Sequence, residues 1–325
     1  MSQLVTIFGG NGFVGRYIAQ RMARAGWRVR VACRRPNEAM FVKPYGTVGQ
    51  VEPVFCNIRD DASVAAALVG ADAAVNCVGT FEIKGANNCH AVQRDGAGRI
   101  ARLAAEAGVA SLLHISAIGA DTDADSEYCQ SKGAGEALVV EAFPSATILR
   151  PSVIFGPEDA FFNRFAAMAR LSPVIPLFGA ETKFQPVYVD DVAAAVEAAV
   201  LGQADAGIYE LGGPDVESFR DLIAQMLEVT RRNALVVNLP FWVGRAVAHT
   251  SALVSFLTLG IVKQPVTIDQ LKSLQDDNVV SDGAKGLSDL GVRATSMASV
   301  LPEYLWQFRP SGQYAALKES AKNLR

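Results

Sequence analysis

Short apolar runs alternate with longer stretches of helical periodicity along the first two thirds of the chain. Val5-Thr-Ile-Phe8 runs into glycines at positions 9, 12 and 15 and then into a helical pattern, so it reads as strand, tight turn and helix. Trp27 to Cys33 follows as a second strand, completing a βαβ unit of about 30 residues, the usual length. Val51 to Cys56 predicts a third short strand, and Asp61 to Val69 a helix with Val64, Leu68 and Val69 inward, closed by Gly70. Ala73 to Gly79 is continuous and apolar, as a strand buried on both faces must be. A helix from His90 to Gly108 turns Val92, Ile100 and Leu103 to the core. Ser111 to Ala117 then reads as a strand, Tyr128 to Ala142 as a helix, and the stretches from Ala146 and from Gly207 as the last two strands.

This alternation predicts an α/β fold, a Rossmann-type doubly wound parallel sheet with a smaller, mostly helical C-terminal lobe. The expected division is 1–155 with 184–215 for the sheet domain, and 156–183 with 216–325 for the lobe. A chain of 325 residues is long enough for both. With 50% apolar and 19% charged residues it is not of the disordered class, and a net charge of −3 argues against nucleic acid as a partner. The five cysteines, at 33, 56, 77, 89 and 129, show no Cys-x-x-Cys spacing and no histidine cluster, so a reducing compartment and no metal site are expected. The first strand begins so close to Met1 that no leader peptide is expected, and no apolar run reaches the length of about 20 residues that spans a bilayer.

The glycine spacing has a specific physical meaning in this context. Gly9 permits the turn, Gly12 lets backbone approach a pyrophosphate, and Gly15 allows close helix packing, while the helix N-terminus offers N–H donors and a positive dipole. An acidic residue at the end of the second strand would hold a ribose 2′-hydroxyl, as NAD requires. This chain has Arg34 and Arg35 there, which pair instead with a 2′-phosphate, so the expected cofactor is NADP(H). Asn57 stands where an adenine contact is usual, a turn role being equally open. The candidate cofactor contacts are Gly9, Gly12, Phe13, Val14, Gly15, Arg34, Arg35, Asn57, Ile58, Val78 and Gly79, joined by Ser116, Tyr128 and Lys132.

Ser116 closes the fifth strand, and Tyr128-Cys-Gln-Ser-Lys132 opens the next helix. Tyrosine and lysine four apart share a helical face, so an ammonium beside the phenol should lower its ordinary pKa of about 10 and make it a usable proton donor. Ser116 could hydrogen-bond the same substrate oxygen. His90 reads as a helix-start residue, and Asp190-Asp191 as the start of an alanine-rich helix.

Together with Ala146-Thr-Ile-Leu-Arg-Pro-Ser-Val-Ile-Phe-Gly-Pro-Glu-Asp159, Phe161-Phe-Asn163 and Phe184-Gln-Pro-Val-Tyr-Val-Asp-Asp-Val-Ala193, these motifs resemble the extended or atypical short-chain dehydrogenase/reductase superfamily. Gln264-Pro-Val-Thr-Ile-Asp-Gln-Leu271, Asp277-Asn-Val-Val280 and Leu287-Ser-Asp-Leu-Gly291 extend the resemblance to the subgroup of the NADPH-binding accessory subunit of respiratory complex I, alpha-subcomplex subunit nine, and its bacterial counterparts. The resemblance implies that Arg150, Pro151, Ser152 and Val153 lie beside the nicotinamide, Pro151 and Val153 as contacts. It implies a tightly held NADP(H) and other subunits of an NADH:quinone oxidoreductase as partners. It also implies a peripheral location on the cytoplasmic side of a bacterial inner membrane, or on the matrix side for a trimmed organellar protein. Ala160 and Asn57 depart from the usual pattern of relatives.

The apolar stretch 239–262 can be a core helix pair of the lobe or a face for a partner or the membrane interface, and the resemblance favours the second. The alternative to an accessory subunit is a soluble NADPH-dependent reductase or epimerase. There Tyr128 would give the proton, Lys132 would tune it and bind the ribose, and Ser116 would orient the carbonyl. A free-standing NADPH sensor is a third class.

Overall fold

Seven strands form one wholly parallel sheet in the computed structural model, which describes residues 2–257, 267–310 and 312–314, without the side chains of 249, 251–257 and 313. They are β1 (Leu4–Phe8), β2 (Arg28–Cys33), β3 (Val51–Phe55), β4 (Ala73–Asn76), β5 (Ser111–Ile115), β6 (Thr147–Pro151) and β7 (Gly207–Leu211). Their order is β7-β6-β5-β4-β1-β2-β3. The winding reverses at β1, which pairs with β2 through Phe8 and Ala32 and with β4 through Phe8 and Asn76. In such sheets ligands bind beyond the carboxyl ends of the strands at that reversal. The apolar character of β1 follows from its place, since all five residues are buried under helices on both faces.

One helical layer consists of α1 (Phe13–Arg24) and α5 (Val189–Val200). Ile18, Ala19 and Met22 of α1 are buried, and Arg21 binds Asp190 through Nε and Nη2 at 2.8 Å each and Glu197 at 2.9 Å. Asp190 is thus a first-turn acid with a specific partner. The other layer consists of α2 (Asp61–Leu68), α3 (Asp95–Glu106) and α4 (Glu127–Ala142), whose Val64, Leu68, Ile100, Leu103 and Val139 share a core with Phe8 and Leu112. Val69, expected inside, is 68% exposed because the helix has already ended at Leu68.

Both sheet edges are protected. Pro53, which has no N–H to offer, sits in edge strand β3, and the chain from 280 lies along β7. There Glu210 N–H donates to Lys285 O at 2.8 Å and Ser281 N–H donates to the Glu210 carboxylate at 2.8 Å. This pairing assigns Val280–Ala294 to the first compact unit, with Met1–Ser152 and Val189–Gly212. The expected division is corrected accordingly, since it placed 280–294 in the lobe and its first boundaries at 155, 184 and 215.

The second unit comprises Val153–Tyr188, Gly213–Val279 and Thr295–Arg325. Its helices Phe162–Leu171, Phe219–Thr230 and Met297–Leu305 close on Phe155, Phe184, Ile223, Met226 and Leu301. A buried hydrogen bond from Tyr304 Oη to Asp159 at 2.5 Å ties the last of these helices to the loop before the first. The helix Phe241–Leu257 packs Phe241, Val243 and Ala248 against Phe178 and Leu271, and Gly244 lets Leu271 approach. The described start of the apolar stretch therefore has a core face, while Trp242 is 70% exposed. Residues 258–262 of that stretch lie outside the described residues. Among the described residues no helix is long and apolar enough to cross a membrane.

Candidate functional site

The turn after β1 has the shape its glycines predict. Gly9 adopts φ +77°, and its N–H donates to Ala32 O at 2.9 Å. A Cβ on Gly15 would stand 2.5 Å from Gly9 O and 2.6 Å from Gly10 Cα, so α1 can begin against the turn only with glycine there. Gly12 is the N-cap residue, with no side chain bonded over the helix start. The amides of Phe13, Val14 and Gly15 are first-turn donors outside the intrahelical ladder. Arg16 folds back, Nε donating to Gly12 O at 3.2 Å, its guanidinium 4.8 Å above the Phe41 ring.

Arg34 and Arg35 follow β2 and are both exposed. Arg35 pairs with Glu38 at 2.9 Å, whereas Arg34 has no ion pair among the described residues. Asn57 is committed to its own turn, accepting Arg59 N–H on Oδ1 at 3.2 Å, and Ile58 packs against Gly96. β4 ends at Asn76 rather than Gly79. The amide oxygen of Asn76 takes the Val78 N–H at 3.1 Å and bends the chain, and the Val78 methyl lies 3.1 Å from where a Gly9 Cβ would be.

Ser116, Tyr128 and Lys132 belong to the same unit, on β5's end and the first turns of α4. Ser126 caps α4, accepting from Cys129 N–H. Lys132 is 4% exposed, and its ammonium donates to Ile115 O at 2.9 Å, the carbonyl next to Ser116. A Cβ on Gly79 would lie 3.9 Å from Nζ, so the expected cofactor strand end and the lysine are neighbours. Burial lowers the lysine pKa to about 8, and Glu136 works against that shift. Ser116 Oγ is buried and has no hydrogen-bond partner among the described residues, which leaves it an open donor and acceptor. The expected lowering of the Tyr128 phenol is corrected: desolvation of the phenolate by burial raises it, with Cys129 and Cys89 adding to the shift, while the Lys132 ammonium donates to the backbone instead.

Sequence reasoning missed the groups around this core. Glu136, one turn beyond Lys132, grips Arg150 with Oε2 at 2.6 Å from Nη2 and Oε1 at 2.9 Å from Nε, and Glu210 lies 3.7 Å from the same guanidinium. The i, i+4 spacing of Lys132 and Glu136 was the available signal. His114 is buried on β5 with Nδ1 3.1 Å from Asn76 Nδ2, and its Nε2 has no partner among the described residues. The predicted helix from His90 opens instead as a π-turn, His90–Arg94, before α3. Pro151 is buried and accepts Ile118 N–H at 3.1 Å, while Val153 belongs to the second unit and packs against that unit's core. Among the described residues no group of His, Cys, Asp or Glu could hold a metal ion.

Residues 5–212 match the model of the NAD dependent epimerase/dehydratase family. The chain is 33% identical over 322 residues to the mitochondrial NADH dehydrogenase (ubiquinone) 1 alpha subcomplex subunit 9 of Arabidopsis thaliana, covering 95% of this chain and 79% of that protein. It is 33% identical over 195 residues, 60% of each protein, to a ceramide reductase of Caulobacter vibrioides. Among solved structures, UDP-glucose 4-epimerase of Thermotoga maritima superposes with a TM-score of 0.70 at 16% identity, over 99% of this chain and 100% of that one. That likeness concerns the fold.

Proposed function

The chain belongs to the NAD dependent epimerase/dehydratase family and, within it, to the group of the NADH dehydrogenase alpha subcomplex subunit 9 proteins, and from that membership we propose that it is an accessory subunit of a proton-pumping NADH:quinone oxidoreductase. In this role it holds NADP(H) as a structural or regulatory ligand. The observation that carries the reading is that similarity to the Arabidopsis subunit covers 95% of the chain. It continues beyond residue 212, where the family model stops, and so includes the second unit, which a shared nucleotide fold alone would leave free to diverge.

The residues present fit the dinucleotide. Gly9, Gly12 and the amides of Phe13, Val14 and Gly15 take the pyrophosphate, and Arg34 with Arg35 take the 2′-phosphate, which favours NADP(H) over NAD(H). Ile58 and Asn57 border the adenine, Val78 and Gly79 line the path past β4, and Lys132 reaches a ribose. Ser116, Tyr128 and Pro151 close the nicotinamide end, Ser116 with its open hydroxyl. Bound there, a nicotinamide supplies a hydride donor or acceptor. Tyr128 holds a proton at its phenol, and Lys132 keeps a positive charge at the Ile115 carbonyl.

The reading places the protein peripherally on the cytoplasmic side of a bacterial inner membrane, or on the matrix side of a mitochondrial one, with the exposed Trp242 near a partner or the interface. Purification from its own cells in mild detergent, with mass spectrometry of co-migrating chains and extraction of nucleotide, tests it. Co-migration with subunits of an NADH:quinone oxidoreductase and near-stoichiometric NADP(H) is expected. A solitary protein with freely exchanging cofactor overturns it. A second reading, an NADPH-dependent carbonyl reductase, is favoured by the grouping of Ser116, Tyr128 and Lys132 and by the ceramide reductase similarity.

A further inference from the structure

Phe81 is 67% exposed, yet it belongs to a segment whose backbone is fixed on both sides. Thr80 O accepts from Gln93 Nε2 at 3.1 Å and from Cys89 Sγ at 3.6 Å. Glu82 O accepts from Cys89 N–H at 2.8 Å and Sγ at 3.2 Å, and Glu82 N–H donates to Thr80 Oγ1 at 3.1 Å. An apolar ring held this firmly in water needs a reason. Its ring lies parallel to that of Tyr128, centroids 4.6 Å apart and planes inclined by 17°.

The same glutamine fastens the helix that carries Tyr128. Gln93 is 1% exposed in the His90–Arg94 π-turn, a wide turn of the kind that often marks a functional site. Ser131 Oγ lies 3.3 Å from Gln93 Oε1 and 2.9 Å from Tyr128 O. A Cβ on Gly135 would come within 2.1 Å of Gln93 O, so α4 rests directly on the π-turn. Gln93 therefore sets Phe81 and Tyr128 in register with each other.

We propose that Phe81 is the specificity-determining residue of the Ser116–Tyr128–Lys132 site: its ring covers Tyr128 and bars aldehydes and ketones from the phenol, leaving a site that retains a nucleotide without reducing a carbonyl. The proposal rests on the NADP(H) reading. Uncovered, the site has what a reduction needs: hydride from bound NADPH to the carbonyl carbon, the Tyr128 proton to its oxygen, and a solvent proton to restore the phenol. The products are the alcohol and NADP+.

Chemical nitration by tetranitromethane, with peptide mass spectrometry reporting Tyr128, tests the cover without any cofactor. Tyr128 should react more slowly than the exposed Tyr314 in the unaltered protein, and Phe81→Ala should speed its nitration by about tenfold or more. Phe81→Leu, which keeps an apolar side chain, should fall between. NADPH oxidation followed at 340 nm with 4-nitrobenzaldehyde should rise by about tenfold in Phe81→Ala and vanish in Phe81→Ala/Tyr128→Phe. Nitration of Tyr128 at an unchanged rate in folded Phe81→Ala and Phe81→Leu overturns the proposal. So does turnover by the unaltered protein equal to that of Phe81→Ala. Failure of both proteins to bind NADPH would instead sink the cofactor reading, with nitration still deciding the role of Phe81.

Discussion

His114 stands in the middle of the sheet at 1% exposure, with Asn76 against Nδ1 and no partner for Nε2 among the described residues. Asn76 spends its amide oxygen on the Val78 N–H, so its NH2 faces the ring, Nδ1 accepts, and the neutral ring carries its proton on Nε2. Protonating it would bury a second cation near the Lys132 ammonium. Burial first, and then Lys132, lower the pKa from 6.5 to about 3. A base with a depressed folded pKa binds fewer protons folded than unfolded, so its contribution to stability is complete above pH 6.5 and falls as pH drops from there towards 3. The slope is about 1.4 kcal/mol per pH unit, so acidifying from pH 7.5 to pH 5 should remove about 2 kcal/mol through this residue. His114→Gln keeps an acceptor for Asn76 and cannot titrate. Urea unfolding at both pH values should show that the variant loses about 2 kcal/mol less than the unaltered protein between them, whatever its stability at pH 7.5. Equal losses in the two proteins would refute the argument.

Replacing Arg34 and Arg35 with Ala should weaken NADP(H) by about 10- to 100-fold, as loss of charge-assisted phosphate bonds implies, with little change for NAD(H); titration calorimetry with both nucleotides decides it, and equal losses refute the 2′-phosphate assignment. Gly15→Ala must push a methyl against Gly9 O and Gly10 Cα, costing about 3 kcal/mol or more and abolishing nucleotide binding, measurable by calorimetry and thermal unfolding. Arg150→Ala leaves Glu136 and Glu210 without their cation and should cost about 3–5 kcal/mol in urea unfolding; a loss below 1 kcal/mol would show the cluster relaxing into solvent.

The strands and their order of appearance were legible because a parallel sheet covered on both faces admits little but apolar residues, and the glycine turn because each of its three positions has a separate steric demand. Boundaries were less so. Val69 looked like the inner face of α2 by spacing, but the helix stops at Leu68 and turns it out. The π-turn at His90–Arg94 was invisible, since its cause is the seating of Gln93 against Ser131 and Thr80, residues far apart in sequence. The lysine-to-tyrosine coupling failed for a related reason. Sharing a helical face places two side chains near each other, but the competing acceptor for the ammonium was a carbonyl on β5. The return of 280–294 to the first unit rests on a backbone bond to Glu210, which carries no periodic signature.

On the NADP(H) reading, charge balance bears on which part of the site draws the nucleotide's phosphates. Lys132 and Arg150 are cations and Glu136 and Glu210 anions, four largely buried groups whose formal charges cancel. The cluster spans α4, β6 and β7 and leaves Lys132 with a hydrogen bond to Ile115 rather than a free field for drawing in phosphate. On that reading, attraction for phosphate would come from the opposite part of the motif, from the first-turn amides of α1 and from the exposed Arg34 and Arg35. The same reading sets the phosphate contacts apart from the Tyr128 phenol. Tyr128→Phe should therefore leave NADP(H) affinity within about tenfold of the unaltered value, since one neutral hydrogen bond contributes about 0.5–1.5 kcal/mol. A much larger loss, measured by the same calorimetry, would show that the phenol anchors the nucleotide and that the two ends of the site are coupled.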